Sequence, residues 1–134
     1  MGGASAIYTV DVDTLVATKL TPDSLRTGPP DYSPDGTNIA FEDNFYACKT
    51  GRSDCGADSF VMNADGSSIT QLTEQFGNNY DPTWSPEEDK IVFTRSKGAQ
   101  FKQQQIYMMN PDGTGITRIT HTNDESFGPD WGAG

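Results

Sequence analysis

Pro82-Thr83-Trp84-Ser85-Pro86, then Lys90-Ile91-Val92-Phe93-Thr94-Arg95, then Gln105-Ile106-Tyr107-Met108-Met109-Asn110, then Gly115-Ile116-Thr117-Arg118-Ile119-Thr120: these four short runs, separated by turn residues, decide the fold. They are too short for helices and rich in β-branched and aromatic side chains. Alternation along the second run puts Ile91 and Phe93 on one face and Val92 and Thr94 on the other. Asn110-Pro111-Asp112-Gly113 lies between the third and fourth runs. An Asp-Gly pair in that setting predicts a hairpin, because glycine accepts the positive φ that such a turn needs. The predicted strands are about 81–85, 90–95, 105–110 and 115–120. Ser96–Lys102, with Gln103-Gln104-Gln105 attached, reads as a long loop.

The same unit recurs along the chain. Ile7-Tyr8-Thr9-Val10-Asp11 and Ser59-Phe60-Val61-Met62-Asn63 match Ile106–Asn110. Leu20-Thr21 and Leu72-Thr73 match Ile119-Thr120, while Pro30-Asp31-Tyr32-Ser33-Pro34 and Pro129-Asp130-Trp131 match Pro82–Pro86. Val10 to Met62, Leu20 to Leu72 and Tyr32 to Trp84 are each 52 residues. Met62 to Met109, Leu72 to Ile119 and Trp84 to Trp131 are each 47. Three independent landmarks with common offsets establish an internal repeat. Four strands in 47 to 52 residues match the arithmetic of a β-propeller blade. A plain antiparallel sandwich accounts for the strands but not for the period. Asn63-Ala64-Asp65-Gly66 and Ser33-Pro34-Asp35-Gly36 repeat the turn chemistry, whereas Ser85-Pro86-Glu87-Glu88 keeps the proline and loses the glycine.

Composition agrees and excludes alternatives. The 134 residues include 14 glycines and 8 prolines, above average usage. Nine Lys and Arg stand against 19 Asp and Glu, for a net charge of −10. Such acidity argues against nucleic acid, whose phosphates demand clustered cations. No apolar run is long enough to span a bilayer, so membrane insertion is not expected, and Met1–Ser5 shows no basic flank or apolar core of a secretory signal.

Pro-x-Trp-Ser-Pro, Ile-Val-Phe, Ile-Tyr-Met-Met-Asn, Asp-Gly and Ile-Thr-Arg-Ile-Thr together resemble the repeat of TolB-like six-bladed propellers. The resemblance covers nearly all of residues 5–131. It implies an all-β fold with a blade part at 5–21, blades at 29–73 and 81–120, and a closing strand at 128–132, all in one half-propeller domain spanning 1–134. In strands that is two, then four, then four, then one, eleven in all. Two copies supply 22 of the 24 strands of six full blades, so a homodimer closing one ring is expected. The alternative is a piece of a longer protein.

The resemblance also implies that strand one lines a central tunnel and that the loop from strand four to the next strand one rims its mouth. Those segments hold Asp31, Asn79, Asp81, Glu125 and Asp130, with Arg26, Asn78, Tyr80 and Phe127 beside them. Converging carboxylates repel unless protonated or bridged, and oxygen donors of this kind suit a hard cation, Ca²⁺ first. Asp31, Asn79, Asp81, Glu125 and Asp130 are therefore candidate metal ligands, and Arg26, Asn78, Tyr80 and Phe127 candidate ligand contacts. The expected function is binding of a small molecule or peptide in a Ca²⁺-bearing tunnel. A second expectation is calcium-dependent hydrolysis of phosphate, sulfate or carboxyl esters, with His121 or Asp124 as base. A third is a structural protein-interaction module.

Other chemistries fail on spacing. An EF-hand needs a glutamate six residues after Gly66 or Gly113, where Leu72 and Ile119 stand, and one histidine with two cysteines cannot build a zinc cluster. Neither a nucleophile elbow nor a phosphate loop is present. Cys48 and Cys55 bracket a six-residue loop and are a candidate disulfide, with two free thiols as the alternative. A disulfide and the family resemblance both point to a periplasmic or secreted setting.

Overall fold

Every landmark of the repeat has a structural task in the computed structural model, which describes residues 5–44, 56–74, 77–97 and 102–132. The Asp-Gly turns close hairpins: Gly66 N–H donates to Asn63 O and Gly113 N–H to Asn110 O, each at 2.9 Å. Both glycines hold positive φ, at 86° and 85°. The Leu-Thr and Ile-Thr pairs end each unit with a clasp. Thr21, Thr73 and Thr120 accept the N–H of Ile7, Ser59 and Ile106 on Oγ1, all at 2.9 Å. The Ser-Pro turns repeat too, with Ser33 and Ser85 Oγ accepting the amides of Asn38 and Lys90 at 3.0 Å.

Ten strands form among the described residues, and no helix does. β1 (Tyr8–Val10) and β2 (Ala17–Lys19) form a hairpin. β3 (Asp31–Tyr32), β4 (Asn38–Asp43), β5 (Asp58–Asn63) and β6 (Thr70–Gln71) form one antiparallel sheet in that order. β7 (Asn78–Trp84), β8 (Ile91–Lys97), β9 (Lys102–Met109) and β10 (Thr117–Arg118) form the next. The protein is all-β, an arc of propeller blades. Two differences from the sequence reading stand out. β9 begins at Lys102, so Gln103–Gln105 are strand residues, with Arg95 of β8 opposite Gln105 and a break of register before the Lys97–Lys102 pair. Residues 128–132 follow the path of a strand one without being a sheet strand, because among the described residues no strand two follows to pair with them. Cys48 and Cys55 lie outside the described residues.

The apolar core sits between blades. Ile39, Phe41, Phe60 and Met62 pack against Ile7, Leu20 and Leu25. One repeat later, Ile91, Phe93, Met109 and Trp84 pack against Ala40, Val61 and Leu72. The turn glycines seal these interfaces: a Cβ on Gly66 would lie 2.7 Å from Leu20 O, and one on Gly113 2.7 Å from Leu72 O. At Glu88, where the equivalent Gly36 has φ 73°, a non-glycine residue holds φ 62° and keeps the turn bond to Ser85 O.

At the ends of the arc the same positions are bare. Tyr8 and Val10 are 53% and 56% exposed, while their repeat equivalents Phe60 and Met62 are 4% and 1% exposed. Ile119 is 45% exposed, against 7% for Leu72. A blade buries its faces only against neighbours.

Candidate functional site

Strand one of each unit brings a proline and a carboxylate to the inner edge of the arc. Pro30, Pro82 and Pro129 are repeat equivalents, and with Asp31, Asp81 and Asp130 they line one open recess of about 340 Å³. Proline is tolerated there because strand one pairs on one side only and its other edge needs no amide donor. The chain is held to that edge by cross-blade bonds. Asp31 Oδ2 accepts Trp84 N–H at 2.8 Å, and Trp131 Nε1–H donates to Thr83 O at 3.2 Å. Glu42 Oε2 accepts Asp81 N–H at 2.7 Å, and one repeat later Thr94 Oγ1 accepts Gly128 N–H at 3.1 Å.

Asp81 sits in a break of register between Tyr80 and Thr83, with φ 51°. A bulge of this kind re-aims the residues beside it. Burial pushes the Asp81 carboxyl above its ordinary value. Desolvation does the same to Glu42 and outweighs the hydrogen bonds from the Asp81 amide and Asn44, while the Asp81 charge adds to the rise. The Tyr80 phenol is pushed up to about 12, first by desolvation and then by the charges of Asp81, Glu42 and Glu125.

Asp31, Asp81 and Asp130 therefore share one recess, and the remaining candidates do not line it. Asn79 is fully buried: its Nδ2 donates to Asp58 Oδ1 at 3.0 Å and its Oδ1 accepts Arg95 Nε–H at 2.6 Å. Asn78 is buried as well, taking Ala57 N–H on Oδ1 and donating from Nδ2 to Ser96 Oγ. Both amides hold the blade together instead of facing a ligand, because β7 begins before the expected strand and draws them into the sheet. Glu125 accepts Gln103 N–H at 3.1 Å. Arg26, His121, Asp124 and Phe127 are exposed, the last at 66%. Among the described residues, no group of three His, Cys, Asp or Glu side chains is placed to hold a metal ion.

Sequence reasoning missed two charged residues that build this region. Glu42 supports the Asp81 bulge. Asp58, 1% exposed, takes hydrogen bonds from Thr73 Oγ1, Asn79 Nδ2 and, at 3.3 Å, Gln71 Nε2. A signal existed: the repeat partners of Glu42 and Asp58 are the neutral Thr94 and Gln105. A charge that appears in one copy of a buried repeat position marks a locally built polar network.

Stacked four-stranded sheets, prolines at each inner strand and clasped outer hairpins define a β-propeller arc. The chain belongs to the TolB beta propeller domain family, whose model matches residues 2–134. It is 37% identical over 87 residues to an uncharacterized protein of Agrobacterium fabrum, covering 65% of this chain and 27% of that one. It is 31% identical over 102 residues to dipeptidyl-peptidase 5 of Porphyromonas gingivalis, covering 73% of this chain and 15% of that one. The structure of a putative TolB from Agrobacterium tumefaciens superposes with a TM-score of 0.71 at 30% identity, over 84% of this chain and 40% of that one. The chain thus spans well under half the length of these relatives.

Proposed function

We propose that this chain is a ligand-binding propeller module in which two copies close one ring, and that the recess at the inner edge receives a small ligand or peptide carrying positive charge. The observation that carries the reading is the convergence of Asp31, Asp81 and Asp130 with Pro30, Pro82 and Pro129 from three successive repeat units on one recess. Carboxylates supply attraction and proline rings supply apolar contact, a combination that suits a lysine- or arginine-like group. Burial at Asp81 strengthens any ion pair formed there. Ca²⁺ enters this reading only through the closed ring. It takes six to eight oxygen ligands, and although three carboxylates line the recess of one arc, no three acidic groups among the described residues are placed to hold a single ion. A shared set from two copies is what a bound ion needs.

The assembly is supported by the bare faces at both ends of the arc, where Tyr8, Val10 and Ile119 stand at positions buried elsewhere in the repeat. Light scattering on the purified chain is expected to give twice 14.5 kDa, and a mass of 14.5 kDa overturns the dimer. Calorimetric titration with trilysine and with Ca²⁺ tests the recess. Asp31→Asn with Asp81→Asn is expected to weaken trilysine binding at least tenfold, and an unchanged affinity overturns the recess as the site. A Ca²⁺ response in monomeric protein overturns the shared-ion reading.

A further inference from the structure

On the opposite face of β8 from Thr94, beyond Phe93, lies a second cleft of about 200 Å³. Its character is the reverse of the recess. Arg95, Lys97 and Arg118 line it together with Gln103 and Asn123, and no carboxylate is among the described lining residues. The whole chain has only nine Lys and Arg against 19 Asp and Glu. Three of those nine cations around one small cleft is a concentration that the composition alone does not produce.

The register explains how they meet. Arg95 lies opposite Gln105, Lys97 opposite Lys102 and Arg118 opposite Tyr107, so the three cations share one face of the β8-β9-β10 sheet. Arg95 is held rigidly. Its guanidinium lies 5.3 Å from the Phe93 ring centroid and 4.8 Å from that of Tyr107, and its Nε donates to Asn79 Oδ1 at 2.6 Å. The buried Asp58 stabilises it through Asn79. Nη2 is nevertheless buried without a hydrogen-bond partner among the described residues. Arg118 is oriented by its Nε bond to Thr120 O at 2.6 Å, and Lys97 makes no hydrogen bond or ion pair among the described residues. Two guanidinium groups with donors left over and one exposed ammonium, on a rigid sheet, form a preorganised anion receptor. A volume of about 200 Å³ restricts the ligand to a compact one.

We infer that this cleft binds a small dicarboxylate, with Arg95 and Arg118 engaging its carboxylates and Lys97 closing the rim. The site is separate from the acidic recess and selects the opposite charge.

Succinate is the probe. Titration calorimetry and amide chemical-shift mapping, at constant ionic strength set with sodium chloride, are expected to show saturable binding with shifts at Lys97, Gln103 and Arg118. Lys97→Ala with Arg118→Ala leaves the buried Arg95–Asn79–Asp58 network in place and is expected to weaken succinate at least tenfold. Lys97→Glu, a surface change, gives the same direction should the double variant misfold by circular dichroism. Asp31→Asn with Asp81→Asn leaves succinate affinity unchanged, which separates this site from the recess. Absence of saturable binding overturns the inference, as does binding that neither cleft variant weakens.

Discussion

Replacing Gly113 with alanine tests whether blade stacking, and not the hairpin alone, dictates the turn. Gly113 holds φ 85°, a region where an L residue is strained by roughly 1–2 kcal/mol. A less flexible unfolded chain returns about 0.4–1 kcal/mol of that. Its Cβ would also lie 2.7 Å from Leu72 O and 3.2 Å from Leu72 Cα, backbone atoms of the neighbouring blade that cannot swing aside. Overpacking of this kind costs about 1–3 kcal/mol. Gly36 is the control, with φ 73° and nothing within 4 Å of the place a Cβ would take. Gly36→Ala therefore carries the backbone strain alone, about 0.5–1 kcal/mol net. Gly113→Ala carries strain and clash, about 1.5–4 kcal/mol. Urea unfolding followed by tryptophan fluorescence reads the interface directly, since Trp84 belongs to the same core cluster as Leu72. Equal destabilisation by the two substitutions refutes the reasoning, because it leaves no energetic role for the approach of Leu72.

Two further outcomes follow from the clasp and from the buried carboxyls. Thr73 Oγ1 both accepts Ser59 N–H and donates to Asp58 Oδ1, whereas among the described residues Thr21 Oγ1 is bonded to Ile7 N–H alone. Thr73→Val is expected to cost about 2–4 kcal/mol and Thr21→Val about 1–2 kcal/mol, and equal costs in equilibrium unfolding remove Asp58 from the account. Burial holds Glu42 above its ordinary 4.5 and Asp81 above its ordinary 3.8, so the fold favours their protonated forms. That stabilisation is complete below those ordinary values and is lost as pH rises through the raised folded-state values. Glu42→Gln, which keeps an oxygen for the Asp81 amide, is expected to flatten the stability profile above pH 4.5. A steeper decline from acid to neutral pH than in the wild type contradicts this.

Strand identity, turn positions and blade spacing are legible along the chain because they depend on local chemistry. Asp-Gly predicts a turn wherever it falls between β runs, and a fixed offset between Leu20, Leu72 and Ile119 signals repetition without any knowledge of contacts. The rim is harder to read. Asn78 and Asn79 look like surface amides beside Asp81, yet a start of β7 at Asn78 turns both into buried partners of Ser96, Asp58 and Arg95. Gln103–Gln105 look like a loop, because the run is polar and lacks alternation, yet the pairs Arg95–Gln105 and Lys97–Lys102 on either side draw it into β9.

By itself, then, the sequence determined an all-β chain of repeated four-stranded units, the turns that close them and the threonines that end them. These are set by residues a few positions apart. The tertiary structure alone decided which polar side chains are buried in the blade and which face outward. It brought Asp31, Asp81 and Asp130 to one recess at the inner edge, and Arg95, Lys97 and Arg118 to one cleft on a sheet face. The cleft is placed by strand pairing within one blade, which sets Arg118 of β10 across β9 from Arg95 and Lys97 of β8, and the recess by the angle at which one blade stacks on the next, and no local pattern encodes that angle.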